Sequence, residues 1–237
     1  MKKIKNGVDY RRLKRRWNML SCLIILLLLG QLQVASCRPE NLLNPRREPS
    51  PVELIPLEQR NTYDLILLEA REEVRKGVRY DASYQTLSYP GGDVDPGRGA
   101  CTDVIVRALR GVGYDLQVLI YEDMSDNFHL YPQLWGLEKP DPNIDHRRTQ
   151  NQIIFLKRFG QELPTAVSDD NKSAWRHGDL VYWLLPDGQQ HTGIISDRTN
   201  TAGIPLVIHN AGVAREEDCL LRWTIIGHFR FPVAGED

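Results

Sequence analysis

Cys101 stands in the stretch GRGACTDVIVRALRGVGYDL, between a glycine-rich turn and an apolar run with helical spacing. A cysteine in mid-helix is usually a small apolar filler. At a helix N-terminus the partial positive charge and the free backbone N–H groups favour the thiolate, which is a nucleophile. Such a nucleophile needs a base to take its proton and a third group to hold that base in one tautomer. Of the six histidines, His191 and His209 fit, because each lies at a polar break of a β-rich run, HTGIISD and PLVIHNAG. Antiparallel strands lie about 5 Å apart, close enough for the two imidazoles to meet. Cys101 as nucleophile, His191 as base and His209 as orienter then form a set for acyl transfer, with Asn210 the competing third member. A single strand-end histidine is more commonly a surface or capping residue, so the weight rests on the three residues jointly. The same residues have two other uses. Cys101 and Cys219 could pair as a disulfide. Thiol and imidazole also suit zinc, but no short-spaced ligand pair such as C-x-x-C occurs, and no metal or cofactor is expected.

Elements must bring these residues together. Leu65, Leu68, Ala70 and Val74 are spaced as one face of an amphipathic helix ending near Gly77. A glycine- and proline-rich segment with Tyr80, Tyr84 and Tyr89 follows. Val104, Ile105 and Ala108 predict a helix from Thr102 to Leu109, stopped by Gly111 and Gly113. A further helix is expected near Leu116 to Phe128, and a short apolar segment from Gln152 to Phe159. The runs Gly178 to Leu185, His191 to Asp197, Pro205 to Gly212 and Thr224 to Phe231 read as strands separated by turn residues. Helices first and an antiparallel sheet afterwards make an α+β domain.

Residues 1–37 read as an export signal. Eight basic residues against one acid precede an apolar core, MLSCLIILLLLG, too short to span a bilayer comfortably. Val34, Ala35, Ser36 and Cys37 then resemble a lipobox, with Cys37 as the lipidated residue; cleavage near Ala35 or a retained anchor would export the domain equally. Arg38 after that cysteine is not the aspartate associated with inner-membrane retention, which places the expected periplasmic lipoprotein on the outer membrane. Residues 38–60, with five prolines and no apolar periodicity, read as a tether, and residues 61–237 as the folded domain. Beyond residue 36 the chain holds 22 basic and 30 acidic residues, a net −8. An acidic domain is a poor ligand for phosphate backbones, so nucleic acid is excluded. Oligomeric state leaves no trace in the sequence.

GDLVYW followed by HTGIISD, after a cysteine at a helix start, resembles the papain-like cell-wall cysteine peptidases of the NlpC kind. More closely, YPGGD, CTDV, EDM, NIDHRR, GDLVYW, HTGI and VIHN, in this order, resemble the bacterial family of domain of unknown function 1287, over about Tyr80 to Phe231. The resemblance implies a papain-like fold and a thiol amidase or endopeptidase acting on peptidoglycan stem peptides, with Cys101, His191 and His209 in the catalytic roles. Thr102 and Asp103 in place of a Ser-Gly pair, and a long insert from about Tyr121 to Trp175, depart from the common NlpC pattern. A catalytically silent wall-binding lipoprotein and a thiol acyltransferase are the alternative functions. Several polar residues are candidate substrate contacts. Asp103 caps the helix or binds a substrate amine. Asp145, His146, Arg147 and Arg148 form a substrate carboxylate site or a structural salt-bridge hub. Tyr80 lines a groove or packs under the helix.

Overall fold

The computed structural model describes residues 48–233. The signal segment, Cys37 and residues 38–47 of the expected tether lie outside the described residues. Among the described residues no helix is long and apolar enough to cross a membrane.

Asn61 opens the first helix, α1 (Thr62–Lys76), by accepting the amides of Tyr63 and Asp64 while the Asp64 carboxylate accepts the Asn61 amide. This reciprocal box satisfies donors that a helix start leaves open. Gly77, at φ 63°, closes the helix in the left-handed region. The buried face of α1 carries Ile66, Leu67 and Ala70; of the expected Leu65, Leu68, Ala70 and Val74, Ala70 is buried and Leu68 and Val74 pack half-buried against the same core. Ile66 and Leu67 lie outside the expected set, and Arg71 is buried as well, between Asp197 and Glu216, so a cation takes a place that periodicity assigns to an apolar side chain. Helix α2 (Cys101–Gly111), α3 (Leu116–Asn127) and α4 (Thr149–Phe159) follow; α4 begins three residues before the apolar segment read from Gln152. The loop before α2 contains two short parallel strands, β1 (Arg79–Tyr80) and β2 (Arg98–Gly99).

Six further strands form one antiparallel sheet. They are β3 (Gln161–Glu162), β4 (Leu180–Leu184), β5 (Gln190–Thr199), β6 (Pro205–Asn210), β7 (Ala214–Glu217) and β8 (Thr224–Arg230), in the order β3-β8-β4-β5-β6-β7. The domain is therefore α+β, with an antiparallel sheet and helices that precede most of it. Side chains alternate between sheet faces. Leu180, Tyr182, Ile194 and Ile208 face the helices and join Ile66, Leu67, Val104, Ile105 and Leu109 in the larger core. Val181, Trp183, Ile195 and Val207 face the other way, with Trp175, Cys219 and Leu220. This two-sided burial explains why GDLVYW reads as a continuous apolar run.

The tether assignment needs correction at its end. Ser50 and Val52 are buried, the Val52 amide donates to Asp197 at 2.7 Å, and Arg71 donates to Ser50. Two short 3₁₀ turns, Val52–Leu54 and Leu57–Gln59, fill the rest. One valine anchors a proline-rich stretch to the domain because it fills a core site beside α1.

Candidate active site

Cys101 occupies the first turn of α2 and is 5% exposed. Its sulfur faces the backbone amides of Thr192, Thr102 and its own residue. Those amides stabilise a thiolate, yet burial outweighs them and, together with the nearby Asp103 charge, pushes the thiol up to about 12. The helix start therefore does not hold a preformed thiolate. Alkylation of Cys101 by iodoacetamide, mapped on its peptide, is expected to accelerate about tenfold per pH unit from pH 7 to 10. A plateau beginning near neutral pH would show a preformed thiolate–imidazolium pair instead.

His191 and His209 are drawn together by the β5–β6 ladder, whose terminal pair is Gly193 with His209. A Cβ at Gly193 would lie 2.7 Å from Val207 Cγ1 and 2.8 Å from the Ile208 oxygen, so glycine permits this close approach. The two imidazoles meet at 2.8 Å, His191 Nε2 to His209 Nδ1, and His209 Nε2 lies 2.9 Å from Glu217. Arg222 holds the same Glu217 oxygen at 2.8 Å. An ionised carboxylate only accepts, so His209 donates from Nε2 and its Nδ1 is an acceptor. His191 then donates from Nε2, which leaves the lone pair on His191 Nδ1. Burial, and then His209, push His191 down to about 4; burial also lowers His209 against the pull of Glu217. Both rings are neutral at neutral pH, and Glu217 sets the tautomer of each. Trp183 stacks on His191 at 5.8 Å between ring centres, and Trp223 meets both imidazoles edge-on.

Thiol and imidazole approach β5 from opposite sides. Thr192 neighbours Tyr182 on the helix side, where Cys101 arrives, while His191 turns to the face of Trp183. They adjoin consecutive residues at the strand's start, and neither imidazole hydrogen-bonds the Cys101 sulfur in this structure. Cys101 and Cys219 are both free. Asn210 faces away from the imidazole pair; its side-chain amide donates to Val78 and Gly99 and its oxygen accepts from Gly212, tying the turn before Cys101 to the end of β6.

The other candidate residues divide into two groups. Tyr80 is 44% exposed, and its hydroxyl is raised by burial and by the Cys101 and Asp103 charges, which puts it within electrostatic reach of the sulfur. Asp103, by contrast, is buried and committed. Its carboxylate accepts the Ala100 amide at 2.6 Å and both arms of the Arg147 fork at 2.8 and 2.9 Å. Arg147 also donates to the backbone of Ser83 and Asp81, while Thr102 donates to the Arg147 carbonyl. Asp145, raised by burial, accepts from the Asp141 amide and Arg148, and Arg148 also lies 3.8 Å over Trp135. The Asp103–Arg148 set thus forms a structural hub that ties the Cys101 turn to its flanking loops, while Asp145 and Arg148 also line a small cavity beside Trp135.

His146 is 2% exposed, and burial, then Arg110 and Arg147, push it down to about 4. Its folded pKa lies below the usual 6.5, so its stabilising contribution is complete above pH 6.5 and disappears as pH falls towards 4. The loss amounts to about 3 kcal/mol. Urea melts from pH 7 to 4 are expected to fall more steeply for the wild type than for His146→Gln; parallel profiles would refute this assignment.

Sequence reasoning missed Glu217 and Trp223. Glu217 follows His209 by eight residues across a short reversal; the β6–β7 register pairs it with Val207, two residues before His209 and on the same face, so it reaches the imidazole diagonally. An open cleft of about 610 Å³ lies beyond Trp223, lined by Arg222, Trp223, Leu184 and Leu221 and by neither imidazole.

A family model described as a domain of unknown function, DUF1287, matches residues 67–231. The uncharacterized protein YijF of Escherichia coli strain K12 is 46% identical over 176 residues, covering 74% of this chain and 84% of that protein. No solved structure matches. The matched family segment includes Cys101, His191, His209 and Glu217.

Proposed function

We propose that this chain, which belongs to the DUF1287 family, is a cysteine hydrolase of the NlpC-like, papain-fold kind that cleaves amide bonds in peptidoglycan stem peptides. The observation that carries the reading is the relay from Glu217 through His209 to His191, which fixes a lone pair on His191 Nδ1 one residue from the Thr192 amide that faces Cys101. Sulfur and imidazole stand on opposite sides of β5 here, so the reading requires a rearrangement at the start of that strand, on substrate binding, that brings His191 Nδ1 to the sulfur before proton transfer. Cys101 loses its proton to His191 Nδ1 as the sulfur attacks the amide carbon. Backbone N–H groups at the start of α2 receive the oxyanion. The imidazolium then protonates the departing amine, and water, deprotonated by His191, hydrolyses the thioester and restores the thiol. Tyr80, exposed within electrostatic reach of the sulfur, is the substrate contact retained from the sequence. An export signal, a lipid on Cys37 and a periplasmic position at the outer membrane complete the proposal, with a membrane anchor and the cell wall as partners and no role for nucleic acid.

The high thiol pKa and the missing thiol–imidazole hydrogen bond favour one other reading, a silent wall-binding lipoprotein. Incubation of the purified full chain, and of Cys101→Ala, with purified peptidoglycan separates them by mass spectrometry of released fragments. Fragments from the wild type alone support the hydrolase and name the bond, and a transferred amine in the products identifies an acyltransferase. Wall binding without fragments from either protein overturns the hydrolase.

A further inference from the structure

Three ligand-type atoms converge behind the imidazole pair. A His209 ring nitrogen, a Glu217 carboxylate oxygen and Cys219 Sγ all lie within 4.8 Å of one another. Nitrogen, oxygen and thiol sulfur together form a donor set that zinc accepts, and the thiol disfavours hard cations such as magnesium and calcium. From this convergence we infer that His209, Glu217 and Cys219 bind a zinc-type divalent cation, and that the bound ion disables His191 as a base. The second half rests on the hydrolase reading, whereas the first does not.

Tetrahedral bonds of about 2.0–2.3 Å put ligand atoms roughly 3.3–3.8 Å apart, so the widest separation must contract by about 1 Å. Glu217 supplies that movement. Its side chain is 30% exposed and its partner Arg222 is 43% exposed, so a surface ion pair of small worth is exchanged for a metal bond. His209 and Cys219 are buried and form the fixed side of the site. Glu217 and Arg222 are the solvent-facing side of the site, and Arg222 also lines the open cleft. A ligating histidine commonly donates its other ring N–H to a second group, and His191 Nε2 stands 2.8 Å from His209 Nδ1 to receive it.

Coordination reverses the relay. The metal needs the lone pair of His209 Nε2, so the ring proton must sit on Nδ1 and be donated to His191 Nε2. His191 then carries its own proton on Nδ1, and no lone pair remains to accept the Cys101 proton. Cys219 binds as thiolate and releases one proton to solvent, while the two imidazoles only relocate theirs.

The test uses the full chain in detergent, stripped by a chelator and titrated with cobalt(II) as the probe. One equivalent is expected to give tetrahedral visible bands and a thiolate-to-cobalt charge-transfer band, both bleached by zinc. Cys219→Ser removes the charge-transfer band and weakens cobalt binding at least about tenfold, and Cys101→Ala leaves both unchanged. Glu217→Gln, which alters a half-exposed side chain, shows a comparable loss of affinity and serves if Cys219→Ser does not fold. Saturating zinc slows peptidoglycan hydrolysis by the wild type at least about tenfold, and hydrolysis by Cys219→Ser far less. Absence of the charge-transfer band, or its loss in Cys101→Ala alone, overturns the site. A site that forms without inhibition overturns the switch, and a site that forms in a chain with no hydrolytic activity counts against the hydrolase reading alone.

Discussion

If the proposed hydrolase reading holds, Cys101→Ala and His191→Ala are each expected to hydrolyse peptidoglycan at least about 10³-fold more slowly than the wild type, with the double variant no slower than either single one. The equality follows from shared work. The thiol, with a pKa pushed up to about 12, is almost entirely protonated at neutral pH, and in the proposed mechanism it depends on the imidazole to become a nucleophile. Without the sulfur, the imidazole has no proton to take. Glu217→Gln should lower kcat by roughly 10²-fold with little change in KM, because it loosens a tautomer and removes no reacting group. Nitrogen-15 NMR of the histidine rings provides a reading that a merely structural role would not move: His191 changes from a single tautomer to a mixture. A double variant clearly slower than both singles would mean that the two residues act independently and would sink the base assignment.

The second large effect is on stability. Arg147→Ala is expected to cost about 3–5 kcal/mol, measured by urea melts at pH 7, because it leaves the Asp103 carboxylate buried without its counter-ion. Arg147 and Asp103 have side chains 2% and 3% exposed, so solvent screens little of their interaction. The same guanidinium holds the Asp81–Ser83 backbone, and its loss releases the loop that borders Cys101. Asp103→Ala/Arg147→Met should be more stable than Arg147→Ala, since removing both charges avoids the stranded one. A loss under about 1 kcal/mol for Arg147→Ala would show that water or another cation replaces the fork.

Much of this architecture was legible in the sequence because periodicity and turn chemistry agree there. The start of α2 at Cys101 and the positions of β4, β5, β6 and β8 fall close to the apolar runs that predict them. β7 was not legible, since AREE carries a single buried apolar residue, Ala214. It exists through pairing with β6, a tertiary effect that no local window contains. Glu217 was missed with it, and the orienting end of the relay was therefore absent. The ionic run from Asp145 to Arg148 was visible, but whether it faces inward is decided by Asp103, more than forty residues away. The thiol's ionisation was misjudged for a related reason: helix polarity is a local property, whereas desolvation depends on everything packed around the sulfur.

The docking of Ser50 and Val52 beside α1 also sets a length scale. If lipid on Cys37 holds the chain at a membrane, 13 residue steps separate that cysteine from Ser50, a contour of at most about 45 Å. A tether running to Arg60 would have allowed about 80 Å. On the proposed lipid anchoring, a hydrolase held at that distance would reach only the layer of wall nearest the anchoring leaflet, and strands farther out would become substrates only as they are drawn inward.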